Sequence, residues 1–272
     1  MLVREVNVRS ALTRSRLFEY CVNPYAGCAN ACVYCYARFA TRFSHPGEEW
    51  GSYVDVRINA PSVLARDLSR AHPGTVYLSS VCDAWQAPEA EYGVTRQCLQ
   101  LILDAGFPLF LQTKNALVER DFDLVKRQSN LRLGVTVTTV DERAARTFEP
   151  EASTANERLR VLAAARGLGI QTFVFLGPLL PGISDRGDGL HRLFSAIGSI
   201  GPDAVFVDRL NRRAGMWPAV SRAVQAFDSS LLPEFRNVVF APEQSAYESA
   251  LRRRVSEAAI SVDLRDRIEW CF

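Results

Sequence analysis

Short apolar runs alternate with longer stretches whose apolar positions recur at helical spacing over most of the chain. Val76-Tyr-Leu-Ser-Ser80 reads as a strand. Residues 92–105 follow with Val94, Cys98, Leu101 and Ile102 at helical spacing, stopping at Gly106. The same alternation predicts strands at 108–113, 131–138, 170–176 and 204–208, and helices at 116–127, 154–167 and 187–200. Ser153 or Thr154 is placed to cap the helix at 154, with Glu157 in the capping-box position. Strands alternating with helices of 10–15 residues imply βαβ units and a parallel sheet. One more strand ahead of residue 28 gives about six units, short of the eight that close a full barrel. The expected class is α/β, a partial (β/α)6 TIM-type barrel.

In such barrels the C-terminal strand ends carry the chemistry. Here they offer Cys82 and Asp83, Lys114, Thr136 and Thr138, and Asp208 and Arg209. Thr136 and Thr138 are two residues apart on one strand and share a face.

Composition narrows the classes. With 48% apolar and 23% charged residues the chain reads as a globular protein with a sizeable core. A net charge of +2 does not point to nucleic acid. No uncharged apolar run approaches the roughly 18 residues of a membrane span, and Met1-Leu-Val-Arg-Glu-Val6 lacks a signal-peptide core. Seven cysteines, an odd number, fit reduced cytosolic thiols better than a disulfide framework. A cytoplasmic location is expected.

Three of those cysteines, Cys28, Cys32 and Cys35, are spaced C-x3-C-x2-C. Zinc normally takes four ligands, often from two paired knuckles. There is no second C-x2-C, and His45, His72 and His191 are scattered. Buried packing cysteines are the other plain alternative. Three thiolates on one loop suit a [4Fe–4S] cluster with one iron free of protein ligands, open to a small molecule.

The motif resembles that of the radical SAM superfamily, and its surroundings, Asn23-Pro-Tyr-Ala-Gly-Cys28 through Arg38, resemble the spore photoproduct lyase-like branch. Cys82-Asp-Ala-Trp-Gln-Ala-Pro-Glu89, Leu111-Gln-Thr-Lys114, Thr147-Phe-Glu-Pro150 and Gly177 to Asp185 are further matches, so the resemblance covers roughly 20–215. It implies one radical SAM domain over 1–272, with a C-terminal extension from about 216. It also implies that S-adenosyl-L-methionine binds the open iron through its amino and carboxylate groups. One-electron cleavage then releases methionine and a 5′-deoxyadenosyl radical, which takes a hydrogen atom from substrate. A reducing partner such as flavodoxin or ferredoxin would supply the electron.

Mapped onto this chain, the resemblance puts Tyr34 against the adenine, or else makes it a core tyrosine capping the loop. Tyr36, opening the next helix, is expected in the core, with that helix aiming its N-terminus at the cluster. Asp83 is expected near a ribose hydroxyl or the methionine ammonium, or as a structural cap. Lys114 is expected at the methionine carboxylate, with Thr136 or Thr138 as a hydrogen-bonding partner. Spore photoproduct lyases use a cysteine as hydrogen-atom donor; counting from the shared aspartate, that position is Ser80. Cys82, one pleat away, is either a displaced donor or a small buried residue. Cys21 and Cys98 are expected in the core, while Cys271 has no reading. Arg209, Arg212 and Arg213, with Trp217 and more remotely Trp85, are candidates for an anionic substrate; Arg252 to Arg254, on a helix from about 245, suggest a solvated face. Three functions follow: radical chemistry on a small, possibly anionic or nucleotide-like molecule; repair of thymine dimers in DNA, less favoured by the charge and the displaced cysteine; and a non-catalytic electron-transfer or sensor protein, which the open iron disfavours.

Overall fold

Alternation along the sequence becomes two sheets. The structure, a computed structural model, describes residues 1–41, 45–126, 128–240 and 246–272. Its strands are β1 Leu2–Val6, β2 Leu12–Arg14, β3 Tyr20–Val22, β4 Tyr25–Ala26, β5 Tyr53–Arg57, β6 Val76–Leu78, β7 Leu109–Thr113, β8 Leu131–Thr136, β9 Gln171–Leu179, β10 Ala204–Arg209 and β11 Ile268–Trp270. The main sheet runs β11-β10-β9-β8-β7-β6-β3-β2. Every neighbouring pair in it is parallel except β2 with β3. A small sheet, β1-β5-β4, stands beside it. β2 and β11 form opposite edges and do not pair, so among the described residues the barrel stays open. The six expected parallel strands are present, and β11 adds a seventh. It has three residues with Glu269 at its centre, too short and too polar for a periodicity to register.

The principal helices are α1 Ala60–Leu68, α2 Val94–Asp104, α3 Glu142–Phe148, α4 Ala155–Gly167, α5 Gly187–Gly198, α6 Trp217–Asp228, α7 Leu232–Phe240 and α8 Ala246–Ile260. Thr154 caps α4 through a complete capping box with Glu157. The helix expected at 116–127 is instead a 3₁₀ stretch, Ala116–Asp121, followed by one α turn, Phe122–Val125. Three-residue winding stacks i on i+3, and that places Val118 and Asp121 together in the interior. Its expected end, Arg127, and the expected start of α8, Ser245, lie outside the described residues.

Register explains how the sheet faces its two environments. Leu78, Leu111, Leu133, Val174 and Val205 alternate onto the outer face and are fully buried beneath the helices. The inner face carries Tyr77, Phe110, Phe173 and Phe206, whose rings meet one another and Phe18 at centroid separations of 4.4–6.1 Å. Gly134 makes room for this plug, because a Cβ there would lie 2.2 Å from the Phe173 ring. The aromatic rings fill the inner face; Gln112, Lys114 and Thr136 lie beyond them toward the C-terminal strand ends. Residues after 215 are built into the same interior: α8 gives Leu251 and Val255 to the core under β9 and β10, and Val220 and Phe235 pack with Cys32, Tyr34 and Phe148.

Candidate active site

The cysteine loop leaves β4 and is gripped on each side. Gly27 adopts φ +81°, and a Cβ there would come within 2.4 Å of the Tyr53 carbonyl, so only glycine fits this approach. Gln86, fully buried, accepts from the Ala29 N–H at 2.7 Å and donates to the Gly27 carbonyl at 3.4 Å, clamping the backbone on both sides of Cys28. Asn30 donates to Asp83 at 3.1 Å and accepts from Asn115 at 3.0 Å. The Val33 N–H donates to the Phe148 carbonyl at 3.0 Å. Cys28 and Cys32 are buried and Cys35 is half-buried. Burial raises the pKa of all three thiols. It takes Cys32 to about 12 despite the pull of Lys114 in the other direction. At Cys35 the peptide N–H groups of Ala37 and Arg38, with the charges of Lys114 and Arg38, partly offset burial.

Behind the loop lies a network that the sequence did not reveal as a unit. Glu149, at the end of α3, and Arg158, on α4, are both almost completely buried and pair at 2.5 Å. Arg158 also donates to the Thr136 carbonyl at 2.9 Å and to the Ser153 carbonyl at 2.7 Å. The other oxygen of Glu149 accepts from the hydroxyls of Tyr34 and Thr138, the latter at 3.1 Å, and stands 4.0 Å from the Lys114 Nζ. Burial pushes the Glu149 carboxyl up, but Arg158, Lys114 and the Tyr34 hydroxyl outweigh it and hold it below the ordinary value. Glu149 lay inside a quoted motif, yet its partners come from four separate segments.

Several expectations change at this point. Tyr34 is buried in the core with its hydroxyl on Glu149. Tyr36 is exposed rather than buried, and its hydroxyl donates to the Ser80 carbonyl. The helix expected after Cys35 opens as a 3₁₀ stretch, Tyr36–Ala40, and its continuation beyond Thr41 lies outside the described residues. Asp83 accepts from Trp85 N–H at 3.0 Å, Thr113 hydroxyl at 2.7 Å, Asn30 at 3.1 Å and Lys114 N–H at 2.7 Å. These four donors use a carboxylate's acceptor positions, making Asp83 a brace between loop and strand end. Ser80 and Cys82 are not one pleat apart, because β6 ends at Leu78 and Ser79 turns to φ +70°. Both nonetheless meet Asn23: Ser80 Oγ lies 3.4 Å from its Nδ2 and Cys82 Sγ 3.9 Å from its Oδ1. Burial raises the Cys82 thiol to about 11.

Among the remaining candidates, Cys21 and Cys98 are buried as expected, and Cys271 is exposed just after β11. Arg209 is buried and faces Glu248 at 2.7 Å, so it does not stand free for an anion as expected, whereas Arg212, stacked over Phe240, and Arg213 are exposed. Trp85 is buried and donates to Asp121 at 2.8 Å, far from that role. Arg252 packs on Trp270 and Phe272, and Arg254 pairs with Asp185 at 3.4 Å, leaving Arg253 as the solvated member of that run. A cavity of about 560 Å³ opens on the outer side of the loop, between Val33, Arg38, Trp50 and Arg222, and does not reach Lys114 or Thr136.

A profile for the Radical SAM superfamily matches residues 22–193. The chain belongs to the radical SAM superfamily. It is 34% identical over 167 residues to an uncharacterized protein of Methanocaldococcus jannaschii, a match covering 61% of this chain and 62% of that one. The chain thus spans under two thirds of this relative's length. An uncharacterized protein of Mycobacterium tuberculosis is 29% identical over 93% of this chain and 78% of its own. A radical SAM Nalpha-GlyT isomerase of Pseudomonas phage M6 is 26% identical over 68% of this chain and 38% of its own. In fold the chain resembles spore photoproduct lyase complexed with dinucleoside spore photoproduct, with a TM-score of 0.71, 15% identity and coverage of 99% of this chain and 82% of the other.

Radical SAM proteins use a [4Fe–4S] cluster and S-adenosylmethionine. The residues present fit that pair. Two buried thiols and a half-buried one on a single loop are costly as bare thiolates, and iron compensates their charge. Among the described residues no three His, Cys, Asp or Glu side chains converge on a single ion. A cube distributes its thiolates over separate irons, so its ligands need not converge on a point.

Proposed function

We propose that the chain is a radical S-adenosylmethionine enzyme acting on a small molecule or nucleotide-like substrate. Cys28, Cys32 and Cys35 would hold the cluster, leaving it open to S-adenosylmethionine. The observation that carries this reading is the clamped loop of three cysteines, two buried and one half-buried, with Lys114 beside it over the Tyr34 ring. Bound there and supplied with an electron by a donor such as flavodoxin or ferredoxin, the pair would provide radical chemistry that removes a hydrogen atom from substrate.

The chain's own residues position and discharge. Arg158 balances Glu149, so the charge on Lys114 remains to meet the methionine carboxylate. Thr138 spends its proton on Glu149, whereas Thr136 accepts from Gln112 at 2.9 Å and keeps its own proton. Of the two, Thr136 is therefore the donor to that carboxylate. Cys82, kept protonated by burial, retains an S–H to return a hydrogen atom. A nucleotide-like substrate is supported by the fold shared with a lyase that binds a dinucleoside photoproduct.

Repair of thymine dimers is the second reading, favoured by that same likeness of fold. Ser80 at the usual donor position, and Arg209 committed to Glu248, weigh against it. The test is anaerobic: reduced, reconstituted protein with S-adenosylmethionine is expected to form 5′-deoxyadenosine. No product refutes both enzymatic readings and leaves a non-catalytic iron–sulfur protein. Tight binding to dimer-containing DNA favours repair over metabolite chemistry.

A further inference from the structure

We infer that Glu149 is the positioning residue for S-adenosylmethionine: it holds Lys114 in place over the Tyr34 ring of the cysteine loop and thereby sets the affinity for the methionine end of that molecule. The inference rests on the reading above, in which Lys114 meets the methionine carboxylate.

A plain buried ion pair would need only Glu149 and Arg158. Here one carboxylate oxygen is given to Arg158, and the other gathers Tyr34 from the cysteine loop, Thr138 from beyond β8 and Lys114 from the end of β7. Arg158 is itself fixed by two backbone carbonyls, of Ser153 and Thr136, so the carboxylate is in position before any ligand arrives. Lysine is the floppiest of the three guests, since its four-carbon stem loses much rotamer freedom when ordered. Its Nζ also lies 5.7 Å from the Tyr34 ring centroid, a second contact that Glu149 fixes by holding the Tyr34 hydroxyl. One negative and two positive charges leave the cluster with a single net positive charge, located on the only member with appreciable exposure: the Lys114 side chain is 16% exposed, against 1% for Glu149 and 2% for Arg158.

Glu149→Gln separates this role from scaffolding. The amide oxygen can still accept from Arg158 while its NH₂ donates to the Tyr34 and Thr138 hydroxyls, which can reverse their roles; Lys114, held at 4.0 Å by charge rather than by a hydrogen bond, loses the attraction with nothing in its place. S-adenosylmethionine binding to reconstituted protein is measured by equilibrium dialysis, alongside iron content and apoprotein melting. The expected result for E149Q is affinity weaker by about tenfold with iron content unchanged, and a raised KM with 5′-deoxyadenosine formation at saturation maintained. In a Lys114→Gln background the same change is expected to add nothing. Equal or tighter binding by E149Q, or losses that multiply in the double variant, overturns the inference. Should E149Q fail to fold, Glu149→Asp, which keeps the charge on Arg158 while drawing back from Lys114, is read by the same criteria. Wild-type protein that binds no S-adenosylmethionine would instead sink the functional reading beneath it.

Discussion

Replacing Asp83 by asparagine separates a brace from a ligand. One carboxylate oxygen accepts from Trp85 N–H and the Thr113 hydroxyl, the other from Asn30 and Lys114 N–H. The asparagine NH₂ must replace one of them. Turned toward Asn30 and Lys114 N–H it opposes two donors. Turned toward Trp85 and Thr113 it opposes only the Trp85 N–H, because the threonine hydroxyl can accept instead. The cheaper orientation thus loses one hydrogen bond and weakens the charge assistance of the other three. A bond to a charged acceptor contributes about 1.5–3 kcal/mol, so the expected cost is about 2–3 kcal/mol. At about 2–4 °C per kcal/mol for a chain of this order of size, the apoprotein should melt roughly 4–12 °C lower. Calorimetry of metal-free D83N against wild type measures this directly. An unchanged melting temperature with impaired S-adenosylmethionine binding would refute the brace and restore Asp83 as a ligand.

Three further outcomes are expected. Gln86→Leu removes both backbone clamps around Cys28 while keeping bulk, so iron bound per chain after reconstitution should fall at least severalfold; full occupancy would show that the clamps are dispensable. Cys82, with its thiol raised to about 11, should alkylate at pH 8 at least tenfold more slowly than an ordinary exposed cysteine and accelerate as pH climbs toward 11; mass spectrometry showing rapid labelling at pH 8 would contradict this. Glu149 is held below its ordinary value, so its contribution to stability is complete above the usual carboxylate range and is lost as pH falls through its depressed folded value. Wild-type apoprotein should therefore lose stability more steeply than E149Q as acid is added below about pH 4.5, and parallel curves would contradict the pairing.

The sequence showed the frame more readily than the contacts. Alternation located five parallel strands and left a sixth to be counted ahead of the cysteine loop, and the Thr154–Glu157 capping box formed where its spacing put it. β11 escaped because Glu269 breaks its three residues. The winding of Ala116–Asp121 escaped because helical periodicity does not separate α from 3₁₀ over six residues. At the site, the C-x3-C-x2-C spacing pointed to the loop, since ligand spacing is local. The contacts of Asp83 and Tyr34 were hidden for the opposite reason. Their partners, Asn30, Thr113 and Lys114 for one and Glu149 for the other, are brought together only by the fold. Arg209 looked like a free cation after a strand until Glu248, 39 positions on, closed against it.

A cluster bound through three cysteines with one iron open to S-adenosylmethionine is the claim on which the rest depends. Electron paramagnetic resonance of the anaerobically reconstituted, reduced protein tests it most directly. The expected result is a [4Fe–4S]⁺ signal that changes shape when S-adenosylmethionine is added and is lost when Cys28, Cys32 or Cys35 is replaced by alanine. A signal indifferent to S-adenosylmethionine, or one that survives all three replacements, would contradict it.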